Sequence, residues 1–173
     1  MPTFTTFTKS KLPNGWLGNM SGFPIVHEGI TFRTNEHLFQ WLRFADENIK
    51  KEIVAQRSPM AVKFVAKRNA DKMVVEPMGA VDLWNMKLGM RLKLSQHHHL
   101  NEWLEATGDS IIIEDCTNRV KNIQKCGRGL FWGAAFINGE WFGKNVVGCM
   151  WMDLRNEGRK NLIAQQIHFG EGI

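Results

Sequence analysis

The sequence contains no tyrosine, three cysteines, five prolines and no long apolar run. Phenylalanine (11) and tryptophan (7) therefore supply all the aromatic surface. The longest uncharged apolar stretches, such as residues 111–113 and 148–152, fall far short of the roughly 20 residues a membrane helix needs. No bilayer span and no membrane partner are expected. Residues 1–11 lack the apolar centre of a secretory signal, so a cytoplasmic address is expected by default. Cys116, Cys126 and Cys149 are odd in number and have no C-x-x-C spacing. They suit three reduced thiols better than a disulfide framework or a zinc site, and neither metal nor cofactor is expected.

What is present fits one folded domain over residues 1–173. At this length roughly 68 to 70% of the unfolded chain's surface is buried on folding. Hydrophobic residues make up 43% and charged residues 23%, ordinary values for a globular protein. The formal charge of +5 favours anionic partners without separating a nucleotide from a polymer. Its distribution says more. Residues 117–128 hold Arg119, Lys121, Lys125 and Arg128 and no acid, which reads either as a solvated loop or as a phosphate-binding flap.

The first thirty residues read as turns and short strands, with Pro13-Asn14-Gly15 and Gly18-Asn19 as breakers. A small hairpin over 24–31 turns at His27-Glu28-Gly29 as a three-residue loop. Thr34 or Asn35 caps a helix to about residue 45. Further helices are expected over 58–67, with Pro59 in the first turn, and over 81–94, 99–106 and 145–160. Residues 110–114 read as one strand, and Asn138-Gly139 as a tight turn. The fold class is mainly α with a few short β-strands.

At about 100° per residue, Glu36, Gln40 and Arg43 fall within a strip roughly 60° wide on an otherwise apolar helix. Such a helix is buried, so the seam must meet other protein groups, water or a ligand; the plain structural reading is a Glu36–Arg43 ion pair. In the helix over 81–94, Lys93 projects between Met86 and Met90. It either snorkels to solvent or is a desolvated amine able to act as nucleophile or acid. His97-His98-His99 splay to different sides and read as a solvated helix start rather than a metal site. Two loops rich in Trp and Gly, around Phe131-Trp132-Gly133 and Trp141-Phe142-Gly143, precede Asn145. Asn145 is a natural helix cap whose amino terminus suits an anion.

These pieces, in this order, resemble the NADAR or YbiA-like family over about residues 14–160. Leu17-Gly18-Asn19-Met20 is similar to the family's leucine-serine-asparagine-phenylalanine stretch. Thr34-Asn35-Glu36-His37-Leu38-Phe39-Gln40 resembles its glutamate-histidine to phenylalanine-glutamine helix, and Ser58-Pro59-Met60 fits a short signature. Met90-Arg91-Leu92-Lys93-Leu94-Ser95-Gln96, Ala106-Thr107-Gly108-Asp109 and Glu114-Asp115 follow the pattern of its centre. Phe131-Trp132-Gly133-Ala134, Gly143-Lys144-Asn145 and Met152-Asp153-Leu154-Arg155 resemble its end.

The resemblance implies a mainly helical YbiA-like fold and an N-glycosidase that cleaves an ADP-ribosyl or phosphoribosyl compound. The substrate would be ADP-ribosylated guanine in nucleic acid or a riboflavin-pathway intermediate. It further implies Glu36 and Lys93 as catalytic residues, and Asn19, His37, Gln40, Arg43, Trp132, Gly133 and Asn145 as ligand-binding residues. The basic residues Arg119, Lys121, Lys125 and Arg128, in an apparent insertion, would contact nucleic-acid phosphates. Three positions depart from the pattern. Arg43 replaces a family lysine, and can clamp phosphate but cannot form an imine. Gly129 stands where an aspartate is frequent, and Met78 where a tryptophan is expected. The alternative reading is therefore a non-catalytic ADP-ribose, nucleotide or nucleic-acid binding module that keeps the fold.

Overall fold

A computed structural model describes residues 2–119 and 127–168. In chain order its strands and helices are β1 (Phe4–Phe7), β2 (Ile25–His27), β3 (Ile30–Phe32), α1 (Asn35–Trp41), α2 (Glu47–Ala55), α3 (Pro59–Arg68), α4 (Ala80–Gln96), α5 (His99–Glu105), β4 (Ile111–Glu114), α6 (Gly127–Trp132), β5 (Ala135–Ile137), β6 (Glu140–Phe142) and α7 (Val146–His168). Helix thus dominates the described residues, and the strands form three two-stranded sheets. The chain divides into two compact units, residues 8–97 and residues 1–7 with 98–173.

In the first unit, β2 and β3 pair antiparallel with His27 opposite Ile30. The turn is therefore the two residues Glu28-Gly29, not three. Both have positive φ, 51° and 75°, the backbone that matches the twist of a tight hairpin. Helix α1 ends at Trp41 rather than near 45, because the Arg43 carbonyl accepts the Val74 N–H at 3.0 Å and Phe44 bridges Met73. Helix α2 was not evident in the sequence pattern. Asp46 caps it, its carboxylate accepting the N–H groups of Asn48 and Ile49, and only Ile49 and Ile53 turn inward. Pro59 opens α3 in its first turn, as expected, and Ser58 caps it. Ile25, Phe32, Leu38, Trp41, Phe44, Ile53, Val62 and Val65 belong to one buried cluster that fixes α1 among its neighbours.

In the second unit, β1 and β4 pair in parallel, Phe4 with Ile111 through Phe7 with Glu114. Helices α5 and α7 bury Leu100, Leu104, Val147, Trp151 and Leu154. Strands β5 and β6 meet at Asn138-Gly139, again with positive φ at both positions. Among the described residues no helix is long and apolar enough to cross a membrane, and no three His, Cys, Asp or Glu side chains gather as a metal site. Cys116 is buried and Cys149 exposed; Cys126 lies outside the described residues.

Candidate active site

The polar strip on α1 is real and buried. Glu36, Gln40 and Arg43 retain 6%, 4% and 8% of their surface. They do not form the simple ion pair. Gln40 stands between, its Nε2 donating to Glu36 Oε1 at 2.8 Å while its Oε1 accepts from Arg43 Nη1 at 3.2 Å. A guanidinium only donates and a carboxylate only accepts, so these two neighbours dictate which way the Gln40 carboxamide faces.

The remaining face of Arg43 is taken by a residue the sequence reading missed. Asp82, in the first turn of α4, accepts Arg43 Nε–H at 2.8 Å and Nη2–H at 2.7 Å, and its Oδ2 also accepts the Met78 N–H at 2.7 Å. Asp82 is fully buried, and the guanidinium lies 4.2 Å over the Phe39 ring. The bidentate fork that would clamp a phosphate is engaged by Asp82. A signal for Asp82 existed. Eleven residues at 100° bring it within about 20° of Lys93 on the same face of α4.

Lys93 does not snorkel. It keeps 1% of its surface, and burial pushes its pKa down to about 7. Its ammonium donates to Trp16 O, to Ser21 Oγ at 2.7 Å and to Gly18 O at 3.4 Å, and lies 5.0 Å over the Phe23 ring. Three donors meet three oxygens. The expected acid or nucleophile is thus committed as an anchor for the loop carrying Asn19. That loop is tied to α1, because Asn19 O accepts the Glu36 N–H at 3.0 Å and Asn19 Oδ1 accepts from Asn35 Nδ2 at 2.8 Å. Asn19 Nδ2 in turn reaches Met86 Sδ at 2.9 Å. Asn19 therefore seats Glu36.

His37 leaves the seam altogether. It is fully buried, with Nδ1 2.8 Å from Thr34 Oγ1 and Nε2 3.1 Å from Gln56 O. The carbonyl can only accept, so Nε2 carries the proton and Nδ1 accepts from the threonine hydroxyl. Burial lowers its pKa and favours that neutral form. Both ring nitrogens are used within the protein, at Thr34 and Gln56.

The other expected residues belong to the second unit. Asn145, at φ 50°, spends both ends of its amide on β4, Oδ1 accepting from Glu114 N at 3.1 Å and Nδ2 donating to Ile112 O at 2.8 Å. It thereby clamps β4 to the start of α7. Gly133 leaves no room for a side chain, since a Cβ there would lie 2.3 Å from Glu114 O. The packing requires its smallness. Trp132 is half-buried and edge-on to Phe131 at 5.1 Å. Of the basic run, Arg119 pairs with Glu114 at 3.1 Å. Lys121, Lys125 and the Arg128 side chain lie outside the described residues.

The NADAR domain family model matches residues 6–159. The chain belongs to the NADAR family. It is 30% identical over 155 residues to the N-glycosidase YbiA of Shigella boydii serotype 4 (strain Sb227), covering 90% of this chain and 88% of that one. Against the N-glycosidase YbiA of Escherichia coli (strain K12) the identity is 29% with the same coverage. The NMR structure of the E. coli protein YbiA is similar at a TM-score of 0.73 and 28% identity, covering 94% of this chain and 88% of that one. This NADAR chain, with Arg43 held by Asp82, offers no lysine at that point of α1, and Glu36 is the carboxylate that its seam leaves without a cationic side-chain partner among the described residues.

Proposed function

We propose that this protein is an N-glycosidase that hydrolyses the bond between the anomeric carbon of an ADP-ribosyl or phosphoribosyl group and a base nitrogen. The observation that carries the proposal is Glu36, a buried carboxylate oriented by Gln40 while the nearby guanidinium is engaged by Asp82. The named activity of the YbiA relatives supports the same reaction class.

As the carbon–nitrogen bond breaks, its electron pair leaves with the base and the sugar gains oxocarbenium character. A fixed carboxylate in a poorly solvated site stabilises that charge without reorganising. Glu36 then takes a proton from the attacking water. The hydroxyl joins the anomeric carbon, and the proton ends on the departed nitrogen, so one water is consumed. Charge distribution supports an anionic substrate: residues 8–97 hold fourteen Lys and Arg against eight Asp and Glu, whereas the rest of the chain holds eight against nine.

The test is Glu36→Gln, a change that still lets Gln40 donate to a carbonyl oxygen. Wild type and variant are incubated with an ADP-ribosylated guanine oligonucleotide and with a phosphoribosylamino-pyrimidine, and released base is followed by mass spectrometry. The variant is expected to lose about 10²–10⁴-fold in turnover and to keep its ADP-ribose affinity by calorimetry. Cleavage that survives the change removes Glu36 from the mechanism. A second reading, a module that binds ADP-ribose or nucleic acid without cleaving it, is favoured by Arg43 and Gly129, which stand where the family pattern has lysine and aspartate. Tight ADP-ribose binding by a wild type that turns over neither substrate would decide for it.

A further inference from the structure

Two carboxylates share the buried seam of residues 8–97, and only one of them is held by an amide. Asp82 grips Arg43 with both oxygens and takes a third hydrogen bond from the Met78 N–H. Met78 reaches it from a left-handed backbone, φ 65°, that a methionine rarely adopts. Stability alone is a poor reason for this arrangement. Burying an ion pair costs so much desolvation that apolar residues of like volume do as well or better.

What the pair does supply is direction. The fork fixes the guanidinium plane, and its third donor, Nη1, can then meet only the oxygen end of the Gln40 carboxamide. That leaves the Gln40 NH2 for Glu36. Asparagine at position 82 would present one acceptor and one donor to the guanidinium, so the plane would no longer be set and the relay would lose its fixed end.

We propose that Asp82 is a positioning residue for Glu36: by gripping the Arg43 fork it fixes the Gln40 carboxamide, whose NH2 holds the Glu36 carboxylate in one place. The proposal rests on Glu36 being the reacting carboxylate. Asp82 itself touches no substrate in this scheme.

The experiment uses two variants of the full chain, Asp82→Asn and the double replacement Arg43→Met with Asp82→Leu. Two readouts are taken, the side-chain NH2 resonances of Gln40 by NMR and kcat and KM measured separately. In D82N the two Gln40 protons are expected to move toward the shifts of an unrestrained carboxamide, and kcat to fall by at least about tenfold, the cost of loosened orientation, with KM nearly unchanged. The double variant is expected to regain the wild-type thermal midpoint, since no unpaired charge stays buried, and yet to keep the low kcat. Unmoved Gln40 resonances in D82N would overturn the proposal, as would a double variant with wild-type kcat, which is what a purely structural ion pair predicts. A wild type without turnover would defeat the proposed function instead, and the Gln40 resonances would still decide whether Asp82 sets the relay.

Discussion

The seam in residues 8–97 and the clamp between β4 and α7 in the other unit satisfy buried polar groups in opposite ways. Glu36, Gln40, Arg43 and Asp82 answer one another, side chain to side chain. Asn145 answers the backbone, at Glu114 N and Ile112 O. A side chain spent on main-chain groups locks a fold. A network of side chains keeps groups whose charge and direction remain usable by a ligand. By that criterion Lys93, bound to two carbonyls and a hydroxyl, sides with the clamps although it shares a unit with the seam.

The sharpest way to break this comparison is Lys93→Met. Removing the anchor takes one donor each from Trp16 O, Gly18 O and Ser21 Oγ and leaves Ser21 as the donor to both carbonyls, so stability should fall by about 2–4 kcal/mol in urea unfolding. The effect should depend on pH. The folded pKa lies near 7, below the ordinary 10.5, so from about pH 7 to 10.5 the unfolded chain binds the extra proton and wild-type stability rises with pH. The gap to the variant, which lacks this group, should widen through that window by no more than about 1.4 kcal/mol per pH unit. The chain has no tyrosine to titrate in the same range. A variant of unchanged stability that has lost turnover would return Lys93 to the chemistry.

How much of this was legible in the sequence follows from the range of each interaction. Hairpin turns, the Ser58-Pro59 start of α3 and the Glu36-Gln40-Arg43 strip are local, and period or turn chemistry alone reveals them. Strand β1 pairs with residues more than a hundred positions away, beginning at Phe4 with Ile111, and nothing in its threonine-rich sequence announces the partner. Helix α2 hides because its charged residues outnumber its two buried isoleucines. At the site, the strip was visible but its partner was not, since Asp82 is 39 residues from Arg43. The bonds that His37 and Asn145 make were hidden for a related reason. A motif shows which residue stands at a position, not which backbone group has already taken its hydrogen bonds.

A smaller effect sharpens the seam from its other side. Gly89 on α4 faces Asn35, and a Cβ there would sit 1.7 Å from Asn35 Oδ1, a buried oxygen without a hydrogen-bond partner. Gly89→Ala must therefore move Asn35, and through Asn19 Oδ1 the loop that receives the Glu36 N–H. The expected loss is about 1–3 kcal/mol in stability from overpacking, with a fall in kcat beyond what partial unfolding explains. Turnover that follows the folded fraction alone would limit the seam to the four residues already joined.

The least costly changes probe the clamp. Asn145→Ala removes both bonds to β4 and leaves at φ 50° a residue less tolerant of the left-handed region than asparagine, so about 1–2 kcal/mol should be lost. Asn145→Gly loses the same bonds but suits the backbone, and the difference between the two variants measures the conformational part alone. Asn145→Asp discriminates most cleanly. It keeps an acceptor for Glu114 N but sets a carboxylate oxygen against Ile112 O, so a clamp loses stability while ADP-ribose affinity of the folded protein stays constant. A phosphate ligand would give the reverse, weakened affinity from the added negative charge with little change in unfolding, and the division between seam and clamp would then fail at Asn145.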